Sequence, residues 1–375
     1  MRWEINFNHQ LGDLDNDIWA LIIEIEAYKR SVLKIPLPPG LSKKINKINI
    51  IRQIKGTTGI EGNTLSEDEI AQIIDKKHTD QERGESVSLE AQEALNSEKV
   101  IEYIKAVVKQ NTDTILTEKI IKDIHYLTTD GCAYPNNVPG EYRNFQNRVG
   151  EYLPPDSDQV NALMENFIKF INSRYIKEKY GQIIRAVLAH FYLVSIHPFG
   201  DGNGRTSRGI EAFILYTGGY NIRGFFSLAN FYYKNRTQYI DELQKARFIY
   251  NGGLQSFVKF SLKGFITELE HVQENILNFV RIVLFKDYIE ELRRKEIVSW
   301  RVYSLMIYLL EENQKIPLHE FKSKNHYIVN TIYEKYKGQK TLDRDFRQML
   351  LNDLIIVNEG IIEPNISLLQ KFLDN

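Results

Sequence analysis

The sequence predicts an all-α protein, and the prediction rests on three observations. Six segments space their apolar residues three and four positions apart, as an α-helix with one buried face requires: 18–33, 45–54, 89–108, 117–128, 160–170 and 183–196. Start signals accompany this spacing, because Ser66 to Glu69 forms a capping box that opens a helix to about Lys76. Thr117 likewise stands where an N-cap belongs. The third observation is that the clearest interruption, 130–155, is dense in glycine and proline.

The interrupting segment predicts turns and one short hairpin at about 145–152. Long loops inside compact domains are uncommon and often functional, so we expect this hairpin to lie near a site.

The C-terminal part of the chain predicts a separate arrangement. A polar-faced helical run at 265–295 is followed by helices at 298–310, 328–336 and 342–354. Apolar segments at 355–357 and 361–362 flank a turn at 358–360, which resembles the wing of a winged helix-turn-helix. We therefore predict an N-terminal helical region, a catalytic core, a helical connector and a winged-helix-like domain, at 1–88, 89–264, 265–297 and 298–375.

Composition excludes several classes of protein. With 375 residues, 43% hydrophobic and 26% charged, the chain is globular rather than disordered. The single cysteine, Cys132, excludes an internal disulfide and a site built of several thiolates. Forty-eight basic residues against forty-nine acidic ones give a net charge of −1, which makes nucleic acid an unlikely partner. The N-terminus lacks a signal core and the apolar stretch 186–196 is too short for a bilayer, so we expect a cytoplasmic protein.

The densest chemistry lies between His197 and Arg208. Gly200, Gly202 and Gly204 let the backbone turn tightly and present its N–H groups to one point. A helix predicted at 206–216 adds its positive N-terminus, which is the physical basis of a phosphate cradle.

Charged side chains complete this cradle. Asp201 suits Mg²⁺, which usually takes one carboxylate together with phosphate oxygens. Arg205 and Arg208 lie three apart on the helix and suit a polyphosphate. His197, just before the cradle, could accept a proton near neutral pH. Each feature alone is also common in purely structural roles, and the spacing fits neither a Walker A loop nor a dinucleotide fingerprint.

The segment resembles the signature of Fic-domain proteins. That signature reads His, any residue, Phe, any residue, Asp or Glu, Gly-Asn-Gly-Arg, two residues and Arg, and residues 197–208 match every specified position. The resemblance extends over about 89–262. It includes the approach to a substrate-docking flap, the helix that feeds the motif and a helix that closes a nucleotide pocket, at 140–143, 149–155, 191–196, Arg236 and Tyr239.

The resemblance implies a Fic helical core with a flap hairpin, and it implies transfer of AMP from ATP to a Ser, Thr or Tyr hydroxyl of a target protein. His197 would be the base and Asp201 would hold Mg²⁺. Phe199 would anchor the loop in the core. The implied nucleotide-binding residues are Gly200, Gly202, Asn203, Gly204, Arg205, Arg208 and Tyr239.

An upstream segment, Thr57 to Gly62, resembles the family's inhibitory motif of Ser or Thr, three residues, Glu and then Gly or Asn. The resemblance implies that Glu61 pairs with Arg208 and blocks the productive position of the γ-phosphate. A carboxylate there would compete with phosphate for one guanidinium.

Other functions remain open from the sequence. The same site could remove AMP or transfer another phosphate-containing group, and relatives of this kind often form homodimers. The C-terminal module could act as a DNA-contacting regulator, but 298–375 holds ten basic and ten acidic residues. Because DNA binding depends on a basic face, that module more plausibly binds protein or packs.

Overall fold

The computed structural model describes residues 4–7, 11–79, 87–110, 114–224, 228–249, 252–311, 314–335 and 339–368. The helices are α1 (Asn16–Lys34), α2 (Pro39–Ile60), α3 (Glu67–Thr79), α4 (Leu89–Gln110), α5 (Glu118–Thr129), α6 (Val160–Asn172), α7 (Arg174–Ile196), α8 (Asn203–Thr217), α9 (Ala229–Lys234), α10 (Arg236–Phe248), α11 (Gly253–Arg294), α12 (Trp300–Leu310), α13 (Leu318–Ser323), α14 (Tyr327–Tyr333) and α15 (Gln339–Leu351). The strands are β1 (Ile316–Pro317), β2 (Ile355–Asn358) and β3 (Ile361–Pro364). The all-α prediction is confirmed.

The chain divides into two compact units, Met1–Gln273 and Glu274–Asn375, and the division falls within α11. The finer predicted division of the first unit stays a prediction. None of the helices in the described part of the chain is both long and apolar enough to cross a bilayer.

The first unit is built around α7, whose residues from Ile183 to Ile196 are almost all buried. This helix packs along α8, so the two helices that flank the predicted cradle form the centre of the core. Ser173 caps the start of α7 through its hydroxyl, and the helix kinks at Gly181, where φ is +70°. The apolar segment that looked too short for a membrane is therefore a core helix.

Residues 57–62 lie at the C-terminal end of α2, a helix much longer than the predicted 45–54. Close approach explains why the C-terminal turns of this helix contain glycine, because a β-carbon on Gly56 would lie 2.5 Å from the backbone nitrogen of Asn230 at α9. A β-carbon on Gly59 would lie 2.6 Å from the ring of Tyr233. Helix α2 thus holds glycines where it packs tightly on its neighbour, which a propensity argument alone disfavours.

The predicted hairpin is present in minimal form. Val149 and Tyr152 form an isolated antiparallel bridge with both backbone hydrogen bonds, of 3.0 and 2.9 Å, around a turn that contains Gly150. We call residues 145–155, which contain this bridge, the flap loop.

The second unit contains the predicted helices followed by a β-hairpin, together with a first strand that the sequence did not predict. The strands form an antiparallel sheet in the order β1-β3-β2, with Val357 opposite Ile362. Its core includes Leu305 and Tyr333, and Asp345 is buried beneath it in an ion pair with Arg301. Assignment of this unit to the winged-helix class stays a prediction.

Candidate active site

His197 ends α7 in a left-handed conformation, with φ of 52° and ψ of 57°. Its Nδ1 lies 3.4 Å from the carbonyl of Val194, so that nitrogen is the natural carrier of the ring proton. The other nitrogen, Nε2, then keeps its lone pair. Burial lowers the pKa of His197 to about 4, with smaller contributions from the positive charges of Arg247 and Arg143. The imidazole is therefore neutral near pH 7 and able to accept a proton.

Phe199 seats the loop that follows His197. Its ring is fully buried and stacks on His125, with ring centroids 3.7 Å apart and planes 6° apart. Asn203 closes the same loop, because its side chain exchanges two hydrogen bonds of 2.9 Å with the backbone of Phe199. The predicted anchor thus occupies the expected place. The Asn203 side-chain amide, predicted to bind a phosphate, instead forms hydrogen bonds within the loop.

His125 supports the loop through two hydrogen bonds, and the sequence analysis did not identify it as a site residue. Its Nε2 lies 3.0 Å from the carbonyl of Asp201, and its Nδ1 accepts a 2.9 Å bond from the backbone N–H of Gly140. Because Nδ1 accepts, Nε2 carries the proton and donates. Burial lowers the pKa of His125 to about 4, which keeps this arrangement intact at neutral pH.

The glycines form the tight turn that their spacing predicted. Gly202 has φ of +70° and precedes α8, which begins at Asn203, three residues before the predicted start. A β-carbon on Gly200 would lie 2.5 Å from the carbonyl of Asn136, so that position tolerates no side chain. Helix α8 starts without a side-chain cap, which leaves its first amides to meet an anion.

Asp201 lies at the rim of this turn with its side chain 46% exposed. One carboxylate oxygen accepts from the N–H of Gly202, and the same oxygen lies 3.4 Å from Arg205. Within the described residues there is no group of three His, Cys, Asp or Glu side chains able to hold a metal ion. The donor set is thus one accessible carboxylate beside an anion cradle, which suits Mg²⁺ bound jointly with phosphates.

Arg205 is 5% exposed and occupied by partners that the sequence did not indicate. Its Nη1 donates to Glu93 at 2.9 Å and to the hydroxyl of Tyr134 at 2.7 Å, and that hydroxyl also bonds Glu93. Its Nε has no hydrogen-bond partner in the described part of the chain. The contact with α4 is thus the ion pair between Arg205 and Glu93. Glu93 is a site residue that the sequence analysis missed.

Arg208 and Glu61 are joined as the sequence analysis predicted. Nη2 of Arg208 lies 2.6 Å from Oε1 of Glu61 and 2.8 Å from the carbonyl of Thr57, while Nε donates to the Thr57 hydroxyl at 2.9 Å. The Arg208 side chain is 2% exposed and that of Glu61 is 36% exposed. Burial alone would raise the pKa of Glu61, but the adjacent charge and hydrogen bond of Arg208 bring it below the ordinary value. Thr57 and Glu61, the first and fifth residues of the motif, thus both accept hydrogen bonds from the Arg208 guanidinium.

Tyr239 is 3% exposed and belongs to an aromatic cluster. Its ring stacks on Tyr232 at 4.7 Å, and its hydroxyl lies 2.9 Å from Nε2 of His190, whose other nitrogen bonds Glu211. Little of the ring is left for a ligand, so contact with adenine remains a prediction.

Arg143 is a further buried side chain that the sequence did not single out as a site residue. Its Nε donates to the carbonyl of His197 at 2.8 Å, and its other nitrogens donate to the flap loop. The sequence does not indicate this role, because the partners of Arg143 are backbone carbonyls, which every residue has. Only the folded backbone shows which carbonyls lie near it.

The site combines a neutral histidine, an uncapped helix start behind a glycine turn, and a buried arginine in reach of that turn. This arrangement suits chemistry on a phosphate-containing ligand. The family comparison agrees with this class. Residues 115–215 match the sequence model of the Fic/DOC family.

Relatives with curated names share part of the chain. The protein adenylyltransferase Fic of Aedes aegypti is 33% identical over 218 residues, which cover 58% of this chain and 40% of that protein. The protein of the same name from Drosophila melanogaster is 32% identical over 182 residues, 48% of this chain and 35% of that one. The chain therefore spans about two fifths or less of the length of these relatives.

Solved structures show the same fold. A Fic family protein from Desulfovibrio desulfuricans G20 superposes with a TM-score of 0.57 at 17% identity, covering 94% of this chain and 96% of that chain. Residues 134–508 of Fic-1 from C. elegans superpose with a TM-score of 0.55 at 20% identity, covering 69% and 72%.

Proposed function

We propose that this protein transfers AMP from ATP to a hydroxyl side chain, Ser, Thr or Tyr, of a target protein. The observation that carries the proposal is the neutral His197 at the mouth of the glycine turn, within a Fic domain whose curated relatives are named protein adenylyltransferases. Nucleotidyl transfer needs positioning of the reactants, stabilisation of charge and a base, and the proposed site would supply all three.

In the proposed reaction, Nε2 of His197 takes the proton of the target hydroxyl. The hydroxyl oxygen forms a bond to the α-phosphorus of ATP while the bond from that phosphorus to the bridging oxygen breaks. Pyrophosphate leaves with the bonding electrons, and AMP remains on the target as a phosphodiester. The backbone amides at the start of α8 would stabilise charge on the α-phosphate, and Arg208 would bind an outer phosphate.

Asp201 would hold Mg²⁺ together with the phosphates, and the metal would neutralise their negative charge. Its exposed carboxylate beside the cradle supports this role. Arg205 would act mainly by orienting the Asp201 carboxylate, since it forms ion pairs with both Asp201 and Glu93.

The resting protein would be autoinhibited. Glu61 satisfies Arg208 with a charged hydrogen bond, so an incoming phosphate must displace a carboxylate from a nearly buried guanidinium. Helix α2 would therefore have to release Glu61 before ATP binds productively.

Mass spectrometry of the Glu61→Gly variant, incubated with ATP, Mg²⁺ and cell lysate, tests the proposal. We expect adducts of AMP on the variant itself and on a target, at a level well above that of the wild type. A second change, His197→Ala, should abolish them. Glu67→Gly, which removes an exposed acid of α3, is the matched control and should behave as the wild type. An unlabelled Glu61→Gly protein that binds ATP and is folded by circular dichroism would refute the proposed activity.

A further inference from the structure

Arg143 is a buried arginine, 5% exposed, and each of its three guanidinium nitrogens donates to a backbone carbonyl. Its Nε donates to His197 at 2.8 Å, its Nη1 to Phe145 at 2.8 Å and its Nη2 to Pro155 at 2.6 Å. Its own backbone N–H donates to Pro198 at 2.8 Å. One residue thus contacts two separate parts of the site.

Those carbonyls are specific places in the chain. Phe145 and Pro155 are the first and last residues of the flap loop, while His197 carries the proposed base. A guanidinium is a planar fork whose donors have fixed mutual directions, so these bonds fix where both ends of the loop lie relative to His197.

Tyr152 adds a second tie between the flap loop and α7. Its hydroxyl donates to the carbonyl of Ser195 at 2.7 Å, and its ring lies under the guanidinium of Arg247 at 4.2 Å. Arg247 in turn donates to the hydroxyl of Ser195 at 3.0 Å. The bridge of the loop is therefore bonded directly to α7 through Tyr152, and the two ends of the loop are linked to His197 through Arg143.

We propose that Arg143 is a positioning residue that sets the distance between the flap loop and the His197 base. An acceptor segment that docks along the loop then presents its hydroxyl to Nε2 of His197 at a fixed offset. This inference rests on the proposed function, because it assigns the loop to the acceptor. Arg143 itself touches neither nucleotide nor hydroxyl.

The alternative is that Arg143 only stabilises the fold, as buried arginines often do. Arg185 is a matched example, since it is 4% exposed and donates to the carbonyl of Ile171 and to the side chains of Asn172 and Gln182. Among the described contacts of Arg185, none reaches His197 or the flap loop. A lysine at either position keeps the charge but loses the fork.

The test compares Arg143→Lys with Arg185→Lys, both in the Glu61→Gly protein. For Arg143→Lys we expect kcat for modification of a protein acceptor to fall about 100-fold while KM for ATP changes less than about threefold. Arg185→Lys should lower the melting temperature but leave kcat within about threefold of the parent. Equal loss of kcat in both variants, or a retained kcat in Arg143→Lys, would overturn the inference.

Hydrogen exchange gives a readout that needs no activity. In Arg143→Lys the backbone amides of Val149 and Tyr152 should exchange at least about tenfold faster than in the parent, because the loop is released locally. They should exchange at parental rates in Arg185→Lys. If the Glu61→Gly parent is inactive, the proposed function fails and exchange alone decides whether Arg143 holds the loop. Unchanged exchange in Arg143→Lys would show that it does not.

Discussion

The carboxylate of Glu61 lies where a side chain on Gly204 would begin. A β-carbon built on Gly204 would be 2.2 Å from Oε1 of Glu61 and 3.2 Å from Nη1 of Arg208. Gly204 is the second residue of α8, so the proposed inhibitory carboxylate reaches the first turn of the helix as well as the arginine. An acid placed there is also favoured by the positive end of the helix dipole.

Gly204→Ala should therefore act through Glu61. We expect it to lower stability by about 1–3 kcal/mol, because the methyl group and the carboxylate cannot share the space. In the Glu61→Gly protein the same substitution should cost clearly less, and thermal melting of the four proteins measures the difference. Gly40→Ala is the control, since a β-carbon there meets nothing within 4 Å. Equal losses in both backgrounds would contradict the fit between Glu61 and Gly204.

The pH dependence of the released enzyme should follow His197. Because the folded pKa lies at about 4, the base is unprotonated from about pH 5.5 to 8, and kcat of Glu61→Gly should be flat over that range. Removal of Glu61 takes away a charge that raises this pKa, so the change displaces the acid limb to still lower pH. A rate that climbs through pH 6.5 would show that His197 is solvated and unshifted.

The ion pair between Glu61 and Arg208, which we propose to be inhibitory, should persist in mild acid. Since the pKa of Glu61 is lowered in the folded state, its contribution is present above the ordinary value and is lost only as pH falls through the lowered one. Wild-type protein at pH 5.5 should therefore remain as poorly self-modified as at pH 7.5, by labelling with radioactive ATP. Strong activation at pH 5.5 would argue that the pair is weaker than its geometry indicates.

Thr57→Val should weaken the inhibition without removing it. The substitution deletes the hydroxyl that accepts from Nε of Arg208, at a cost of about 1–2 kcal/mol, and we expect labelling about 5- to 30-fold above wild type. Glu61→Gly should exceed it. Thr58→Val is the matched control, because within the described residues that hydroxyl donates to the carbonyl of Ile54 in α2 and not to Arg208. Similar activation by both would point to a loosened helix instead.

Glu93→Gln should lower the stability of the protein, because it removes the charge that α4 provides to Arg205. The variant keeps the shape but loses the charge that faces a 5% exposed guanidinium, so we expect a loss of about 2–4 kcal/mol in the free energy of unfolding. Denaturant titration measures it, with the exposed Glu102→Gln of the same helix as control. A loss below about 0.5 kcal/mol would mean that Asp201 and Tyr134 suffice.

The sequence predicted the parts of the site that are local in the chain. From His197 to Arg208 the residues form one turn and the start of one helix, so their spacing alone brings them together. Glu61 lies 147 residues from Arg208, and only the resemblance to a motif connected them. The partners of Arg205 were missed because Glu93 sits in a helix whose pattern looks ordinary.

Other contacts lay beyond any pattern. Arg143 bonds only carbonyls, and every residue has one, so no side-chain spacing marks the partner. Helix α2 was predicted too short because Gly56 and Gly59 disfavour helix until the packing against α9 and Tyr233 is known. Strand β1 has two residues, which is too few for periodicity to detect.

Arg208 is among the largest fully buried side chains of the described protein, and its counter-ion in the resting state is Glu61. In the proposed autoinhibition, activation would therefore be the exchange of one counter-ion for another, with the carboxylate leaving as phosphate arrives. A site with neither Glu61 nor phosphate would leave this buried guanidinium hydrogen-bonded to Thr57 but without a counter-ion, which is unfavourable. Loss of Glu61 would thus yield a protein that is both more active and less durable, and that depends on nucleotide for its own persistence.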